Sequence, residues 1–266
     1  MDEKRSARAL LNYAKDLSGA GRWSNDDDGQ IDQAWVSTPV DVVDARSLPQ
    51  RLSLDLEGIE LAELALADPQ WAQPDWVNRE YLPRCVEMVL GLTGAAHAVP
   101  YTGVIVRTQD RDRPLGSAPP ARFVHIDQTR ASATPFIDRN AGRAVRERYR
   151  TTTIHNVWRA ISPAPHNTPL AVCDQHSVDE STLTAGVTVT AKRPEGVPYV
   201  TSVYSAQHRW FYFSDLSPDE TIVFKGVELD EQQPLGCLHS AFDHPEPIDD
   251  APPRVSVEAR VLTFFD

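Results

Sequence analysis

The C-terminal stretch of the chain reads RVSVEARVLTFF, from Arg254 to Phe265. Its polar and apolar residues alternate, and successive side chains of a β-strand point to opposite faces of a sheet. The polar face of this predicted strand comprises Arg254, Ser256, Glu258 and Arg260. Two explanations stay open. Periodicity alone favours an exterior ladder of ion pairs, whereas an inward polar face would need partners, because an unpaired buried charge is costly.

Short β-rich segments of the same kind recur through the second part of the chain, separated by Gly, Pro and Asp residues. They are Val104–Thr108, Arg122–Asp127, Thr151–Ile161, Leu170–Asp174, Val187–Lys192, Val200–Ser205, Arg209–Phe213 and Glu220–Leu229. Many short strands at such intervals predict a β-sandwich or barrel of facing antiparallel sheets rather than alternating β–α units.

The N-terminal third mixes predicted strands with one helix. The predicted strands are Ala9–Ala14 at a sheet edge, Val40–Arg46, and Leu52–Leu64 with a turn at Glu57 and Gly58. Residues 25–29 predict a turn or loop. Apolar residues spaced three or four apart predict a helix over Asn78–Leu92, which Gly94 ends. A second helix is expected over Asp138–Tyr149.

Composition indicates an ordinary globular protein with an acidic balance. The chain has 266 residues, of which 41% are hydrophobic and 24% charged, and its formal net charge is −12. Nucleic acid is therefore not an expected partner, because a polyanion would be repelled on average. The basic run Arg143–Arg150 is interpreted as a solvated helix face.

No apolar run approaches the length needed to cross a bilayer, and the N-terminus lacks the features of a signal peptide. Three cysteines, Cys85, Cys173 and Cys237, are widely spaced and do not form a C-x-x-C motif. We expect buried free thiols in a reducing cytoplasm. The oligomeric state does not follow from the sequence.

The sharpest motif is His125-Ile126-Asp127. Residues i and i+2 of a strand share a face, so this imidazole and this carboxylate can converge on one metal ion. A later histidine, His239, would complete a two-histidine, one-carboxylate triad, which leaves positions open and is typical of Fe(II) oxygenases. Further along, Arg254 and Ser256 offer a guanidinium and a hydroxyl suited to a carboxylate.

Other residues leave alternatives open. His244 competes with His239 as the distal ligand, and the residues after His239 favour the latter. His155 is interpreted as a core or ligand-supporting histidine. His208 is either a structural turn residue or a pocket residue, and the aromatic run Trp210–Phe213 fills the core in preference to forming a substrate shelf.

Several segments resemble a family of iron oxygenases that includes the cephamycin-pathway cephem hydroxylase, the fungal gibberellin desaturase and fungal aromatic-pathway hydroxylase/desaturases. The matching segments are Phe123–Thr129, Asn156–Asp174, Tyr204–Gly226, Leu238–Pro245 and Pro252–Arg260. The N-terminal third matches only loosely, through Leu11–Tyr13. Because such regions usually shape the substrate pocket, the resemblance does not identify the substrate.

The resemblance implies a mainly β protein with a double-stranded β-helix core, the jelly roll of cupin-like proteins, and a few flanking helices. It implies one oxygenase domain over residues 1–266, with residues 1–98 flanking a core of residues 99–266. It also implies that the enzyme uses Fe(II), 2-oxoglutarate and O2.

The resemblance assigns iron ligation to His125, Asp127 and His239. It assigns the distal carboxylate of 2-oxoglutarate to Arg254 and Ser256, with Arg260 as a rival or helper. Arg159 and Tyr204 are expected near the substrate. Arg107 is either directed inward to a substrate carboxylate or exterior.

The expected reaction is hydroxylation of a small natural-product intermediate in secondary metabolism, such as antibiotic biosynthesis, with desaturation or cyclisation also open. Halogenation is disfavoured because Asp127 occupies the place of a halide. A non-haem iron oxidase that does not use 2-oxoglutarate, and a non-catalytic jelly-roll binding protein, are the alternatives. A nucleic-acid-demethylating enzyme is disfavoured by the acidity of the chain.

Overall fold

A computed structural model describes residues 5–19, 21–24, 35–101, 103–110, 117–190 and 193–266 of the chain. Strands dominate the described residues. In chain order they are β1 (Ser6–Ala14), β2 (Arg22–Ser24), β3 (Trp35–Asp44), β4 (Ile59–Glu63), β5 (His97–Pro100), β6 (Ile105–Thr108), β7 (His125–Ile126), β8 (Thr151–Ala160), β9 (Leu170–Cys173), β10 (Leu183–Thr190), β11 (Arg193–Ser202), β12 (Trp210–Tyr212), β13 (Glu220–Glu228), β14 (His239–Ala241) and β15 (Val255–Phe265).

Helices occupy two places in the described residues. The first is a continuous run of α1 (Pro74–Trp76), a π-helical segment (Val77–Tyr81) and α2 (Leu82–Thr93). Gly94 ends it in the left-handed region, with φ of 62°, so both this predicted helix and its stop are confirmed. The second place holds α3 (Arg130–Ala141) and α4 (Arg143–Arg148). Single 3₁₀ turns lie at Ala45–Ser47, Gln175–Ser177 and Glu180–Thr182.

The described strands form two sheets. The larger has nine strands in the order β1-β3-β12-β9-β14-β7-β11-β10-β2. The smaller has the order β4-β13-β8-β15-β5, with β6 also paired to β15. Most neighbouring strands are antiparallel, and the exceptions among the described strands are β12 with β3 and β10 with β2. The predicted antiparallel, mainly β architecture and the edge position of β1 are therefore confirmed.

The two sheets pack face to face around shared apolar side chains. Val42, Ile126 and Trp210 of the larger sheet belong to the same buried cluster as Ile154 and Leu262 of the smaller one. Packing of this kind buries one face of each sheet and supplies the main favourable free energy of folding.

The helical run covers the outer face of the smaller sheet. Cys85 and Val89 of α2 lie in one buried cluster with Val157 of β8 and with Val257 and Val261 of β15. Strand β15 is therefore buried on both faces. Val257, Ala259 and Val261 pack under the helix. The face that carries Glu258, Leu262 and Phe264 points between the sheets, so its polar residues do not form an exterior ladder.

Several predicted boundaries are corrected. The strand expected over Arg122–Asp127 contains only His125 and Ile126 in strand conformation. The strand expected over Leu52–Leu64 begins only at Ile59. Residues 53–58 form turns instead, in which the backbone N–H groups of Glu57 and Gly58 donate to the Ser53 carbonyl. The helix expected over Asp138–Tyr149 starts earlier, at Arg130, and is interrupted at Gly142, whose φ is 90°.

Two hairpin strands are longer than expected. The segments predicted over Val187–Lys192 and Val200–Ser205 overlap the C-terminal ends of β10, which ends at Thr190, and β11, which ends at Ser202, and these two strands pair with each other. The loop expected at residues 25–29 lies outside the described residues, as do Ala191 and Lys192.

Replacing Phe264 by alanine tests the packing between the sheets. Phe264 is fully buried in that core, so Phe264→Ala is expected to lower the free energy of unfolding by about 3–5 kcal/mol. Leu10→Ala is the control, because Leu10 lies on β1 with 61% of its surface exposed, and its effect should stay within about 0.5 kcal/mol. Urea denaturation measures both changes. A small effect at Phe264 would contradict the packing described.

Candidate metal centre

Two neighbouring strands bring the motif histidine and the distal histidine together. His125 begins β7, His239 begins β14, and these antiparallel strands place the two residues directly opposite each other. Asp127 follows β7 and shares the face of His125. The ligand atoms of the three residues all lie within 4.8 Å of one another.

Both imidazoles are held by the backbone in the same way. Nδ1 of His125 is 2.8 Å from the carbonyl oxygen of Phe123, and Nδ1 of His239 is 3.2 Å from that of Cys237. In the tautomer that donates Nδ1–H to these carbonyls, each Nε2 keeps its lone pair. Nε2 lies 4.0 Å from Asp127 in His125 and 3.8 Å from it in His239, so both lone pairs face the carboxylate.

Burial keeps the two imidazoles neutral. It lowers the pKa of His125 to about 3, with a further contribution from His239. It also lowers the pKa of His239. Neutral imidazole is the form that binds a metal ion. The pair is therefore in its ligating form at neutral pH.

The Asp127 carboxylate is fixed through both oxygens. Asn156 donates to Oδ2 at 2.7 Å, and Nη2 of Arg260 lies 2.7 Å from Oδ1. Burial alone would raise the pKa of Asp127, but Arg260 and the two histidines outweigh it and hold that pKa below its usual range. The carboxylate is consequently ionised and has a defined orientation.

A cavity of about 290 Å³ opens beside His125 and Asp127. Its walls are largely aromatic and aliphatic, with Arg107, Gln128 and Arg260 among the polar groups. The apolar wall includes Tyr101, Ile105, Phe123, Phe136, Val197 and Tyr199. Polar and charged groups thus face the cavity alongside the apolar wall, a combination that can both bury and orient a small molecule.

Arg254 lies in a second, smaller cavity bordered by His125, His239, Trp158 and other residues. Its side chain is 1% exposed, and its guanidinium packs over the Trp158 ring with 5.4 Å between carbon and ring centre. Nη1 donates to the Thr168 carbonyl at 2.9 Å, but Nε has no partner. In the part of the chain that the structure describes, Arg254 forms no ion pair.

Burial also affects the charge state of Arg254. It lowers the pKa of Arg254 to about 9, and the neighbouring cations Arg107 and Arg122 contribute to this shift. The guanidinium is thus still charged at neutral pH. Ser256, two residues along β15, is buried on the same face. A buried cation without an anionic partner is costly, so the cavity beside Arg254 is a candidate site for an anionic group.

The family model described as an oxidoreductase/YMDC permease-like domain matches residues 11–264. The chain belongs to this family.

No helix in the described residues is both long and apolar enough to cross a membrane.

Named relatives specify the kind of oxidoreductase. The hydroxylase/desaturase efuI of Hormonema carpetanum is 29% identical, covering 98% of this chain and 96% of the relative. The Fe(II)/2-oxoglutarate-dependent dioxygenase nvfI of Aspergillus novofumigatus is 29% identical over 86% of this chain and 84% of its own length. The resemblance drawn from the sequence, to Fe(II)/2-oxoglutarate-dependent hydroxylase/desaturases, is confirmed.

A solved structure supports the fold. The iron and alpha-ketoglutarate-dependent endoperoxidase NvfI superposes with a TM-score of 0.80 at 24% identity, covering 100% of this chain and 99% of that chain. The predicted jelly-roll fold is thereby confirmed.

Arg107 and Arg260 both reach the site of this oxidoreductase. Arg107 points inward, borders both cavities, and donates to the Pro119 carbonyl at 2.8 Å. The exterior alternative for Arg107 is therefore ruled out. Arg260 pairs with Asp127 and Glu258, so the residue that rivalled Arg254 has carboxylate partners within the protein.

Arg159 and Tyr204 are not brought to the site. Arg159 lies on the outer face of β8, where its Nη2 donates to the carbonyls of Leu64 and Pro218 and its guanidinium packs over Trp71. Strand alternation explains this correction, because Arg159 must point away from the inward-facing Trp158. Tyr204 is 48% exposed and contacts the edge of the Tyr13 ring.

The remaining histidines lie outside the triad. His155 faces outward on β8 and hydrogen-bonds Thr263 at 3.1 Å, which agrees with a core role. His208 hydrogen-bonds the Tyr13 hydroxyl at 3.2 Å, and His244 lies near the Tyr212 and Phe242 rings. His239, rather than His244, is the histidine that joins His125 and Asp127.

Two functional candidates escaped the sequence analysis. Asn156 holds Asp127, and Trp158 packs on Arg254. Both lie on the inner face of β8, opposite Arg260 and Glu258 respectively. The sequence offered one indication for Asn156, which is a polar residue at an inward position of a long buried strand. Its contact with Asp127 could not be predicted, because the two residues meet only in the folded chain.

Arg159→Leu tests the corrected placement. Removing the guanidinium leaves the Leu64 and Pro218 carbonyls without their donor, so we expect a loss of about 1–3 kcal/mol in the free energy of unfolding. Binding of Co(II) should be unchanged, because the residue lies on the far side of the sheet from the triad. Tyr204→Ala is the exposed control, with an effect within about 0.5 kcal/mol. Chemical denaturation and calorimetric titration with Co(II) provide the two readouts, and weakened metal binding would contradict the placement.

Proposed function

We propose that this chain is an Fe(II)- and 2-oxoglutarate-dependent dioxygenase that hydroxylates or desaturates a small natural-product intermediate. One observation carries the proposal: a buried guanidinium without an anionic partner, Arg254, shares a cavity with two histidines of a buried His-Asp-His group. The first feature calls for an anion and the second for a metal ion. A metal-chelating dicarboxylate satisfies both.

His125, Asp127 and His239 hold the iron in this proposal. The donor set fits, since two neutral imidazoles and one ionised carboxylate form the set that suits Fe(II) with open positions. Bound Fe(II), with O2 and 2-oxoglutarate, supplies the oxidising power for C–H bond cleavage, and 2-oxoglutarate leaves as succinate and CO2. The protein contributes ligands, orientation and a shielded cavity.

Arg254 and Ser256 bind the distal carboxylate of 2-oxoglutarate. A guanidinium pairs with a carboxylate through two parallel hydrogen bonds, and the unpartnered Nε of Arg254 is available for one of them. Packing over Trp158 holds the guanidinium plane in place. Arg254 is favoured over Arg260 because Arg260 already has two carboxylate partners.

The substrate occupies the cavity of about 290 Å³ with aromatic walls. Such walls favour a small, largely apolar molecule, and Arg107 at the boundary between the cavities offers a cation to an acidic group. Relatives bear the names hydroxylase/desaturase and endoperoxidase, so hydroxylation, desaturation and ring formation are all chemistries of this group. Asp127 occupies the place that a halide would need, which disfavours halogenation.

The biological setting is also part of the proposal. Cys85, Cys173 and Cys237 are free and buried, as expected for a protein of a reducing compartment such as the cytoplasm. We assign one oxygenase domain to residues 1–266 and a place in secondary metabolism, antibiotic biosynthesis included. The acidic net charge of −12 argues against a nucleic-acid substrate.

Anaerobic reconstitution with Fe(II), followed by addition of O2 and 2-oxoglutarate, tests the function. Formation of succinate is the expected outcome, measured with and without a panel of small, largely apolar carboxylic acids. Oxidation of a substrate without consumption of 2-oxoglutarate would favour an iron oxidase. Failure to bind any divalent metal would favour a non-catalytic binding protein.

Single substitutions test the metal ligands. Asp127→Ala and His239→Ala should each abolish stoichiometric Co(II) binding, because two remaining donors do not hold a divalent ion in a three-ligand site. His244→Ala is the matched control and should bind Co(II) like the wild type, since it is a nearby histidine outside the triad. Isothermal titration calorimetry measures the stoichiometry. Retained binding in His239→Ala together with loss in His244→Ala would reverse the assignment.

Arg254→Leu tests the 2-oxoglutarate site. Losing a buried, bidentate charge pair should weaken 2-oxoglutarate binding by about 2–5 kcal/mol. Arg254→Lys should recover part of the loss, because it keeps the charge without the planar pair of donors. Titration of the anaerobic Co(II) protein gives the affinities, and Arg8→Leu serves as control, because the Arg8 side chain on β1 is 60% exposed and pairs with Asp41. Unchanged affinity in Arg254→Leu would contradict this assignment.

A further inference from the structure

Arg260 lies between two buried carboxylates. Its Nη2 is 2.7 Å from Oδ1 of Asp127 and 2.9 Å from Oε1 of Glu258, and its Nε donates to the same Glu258 oxygen at 3.0 Å. The two carboxylates therefore share one nitrogen atom. Without the guanidinium, two like charges would face each other in a poorly solvated interior, where their repulsion is strong.

Glu258 is thus a second carboxylate beside the candidate metal centre. It borders the small cavity together with His125, His239 and Arg254. Its oxygens are nevertheless not part of the mutually close set of ligand atoms, which His125, Asp127 and His239 form among the described residues. The two carboxylates differ in their contacts. Asn156 and Arg260 each donate to one oxygen of Asp127, whereas Arg260 donates twice to a single oxygen of Glu258.

A second free carboxylate in this cavity would interfere with a dicarboxylate co-substrate in two ways. Carboxylate oxygens are good ligands for divalent iron, so Glu258 could take a position that the co-substrate needs. Its negative charge would also repel a dianion at short range. Two N–H groups of Arg260 donate to one oxygen of Glu258, which balances the charge of this carboxylate and fixes the position of that oxygen.

We propose that Arg260 is a positioning residue that presents Asp127 to the metal and withholds Glu258 from it, so that the positions required by 2-oxoglutarate stay open. This inference rests on the function proposed above. It differs from a direct role of Arg260 in binding 2-oxoglutarate, because Nε and Nη2 already donate to protein carboxylates. The role of Arg260 is exerted through Asp127 and Glu258.

A double-variant experiment separates these possibilities. In Arg260→Leu, Glu258 is released, so 2-oxoglutarate affinity should fall by about tenfold or more, because the released carboxylate competes for a metal position and repels the dianion. Co(II) affinity should not fall, since a second carboxylate has become available. The visible absorption of Co(II) should change as an oxygen donor is added. Titration calorimetry and absorption of the anaerobic Co(II) protein provide these readouts without turnover.

The decisive variant is Arg260→Leu combined with Glu258→Gln. Removing the released carboxylate should restore most of the lost 2-oxoglutarate affinity and the wild-type Co(II) spectrum, because Asn156 still holds Asp127. Arg146→Leu, which breaks the Arg146–Asp138 ion pair on the helical segment, is the control and should change neither readout. If Arg260→Leu does not fold, Arg260→Lys takes its place. A single ammonium holds the two carboxylates less well, so a smaller loss is expected, again recovered by Glu258→Gln.

A double variant that binds 2-oxoglutarate as weakly as the single variant would overturn the proposal, because it would mean that Arg260 contacts the co-substrate itself or only supports the fold. Weaker Co(II) binding in Arg260→Leu would overturn it as well. Failure of the wild-type Co(II) protein to bind 2-oxoglutarate is a distinct result. It would contradict the proposed function whatever the behaviour of Arg260.

Discussion

Burial of β15 on both faces is the constraint on which the site depends. Its apolar face packs under α2, and its polar face lies between the sheets. Charged groups in such a place must find partners, since desolvation of an unpaired charge costs several kcal/mol. Arg260 pairs with both Glu258 and Asp127. Arg254, the residue just before β15, has an unpartnered Nε, and the anion site proposed above rests on this difference between the two arginines.

Burial of an arginine does not by itself indicate a ligand, as Arg159 demonstrates. This residue is as deeply buried as Arg254 and also lacks an ion pair in the described residues. It donates to two backbone carbonyls and packs over the Trp71 and Tyr81 rings. Arg254 differs because it borders a cavity that also reaches the triad histidines. The inference of a ligand therefore comes from an unpaired charge combined with space and with metal-binding groups.

The triad owes its order to backbone contacts as much as to side chains. Pairing of β7 with β14 sets the two histidines opposite each other, and carbonyls two residues earlier in each segment hold their Nδ1 atoms. Asn156 and Arg260, from the facing sheet, fix the carboxylate of Asp127. Groups from both sheets thus converge on one point. Such an arrangement limits reorganisation when a metal ion binds, because the ligands are already oriented.

Local periodicity determined much of this protein in advance. Alternating residues predicted the strands, apolar spacing with Gly94 predicted the helix and its end, and the His125–Asp127 spacing predicted two ligands on one face. These features depend on residues close in sequence. The resemblance of longer segments supported His239 as the distal ligand and assigned Arg254 to 2-oxoglutarate. Tertiary structure alone decided what depends on distant partners: which face of β15 is inward, why Arg159 points away, and how Asn156 and Arg260 meet Asp127. Strand pairing and sheet packing bring together residues that are far apart in the chain, and no local sequence pattern indicates which of them will form ion pairs.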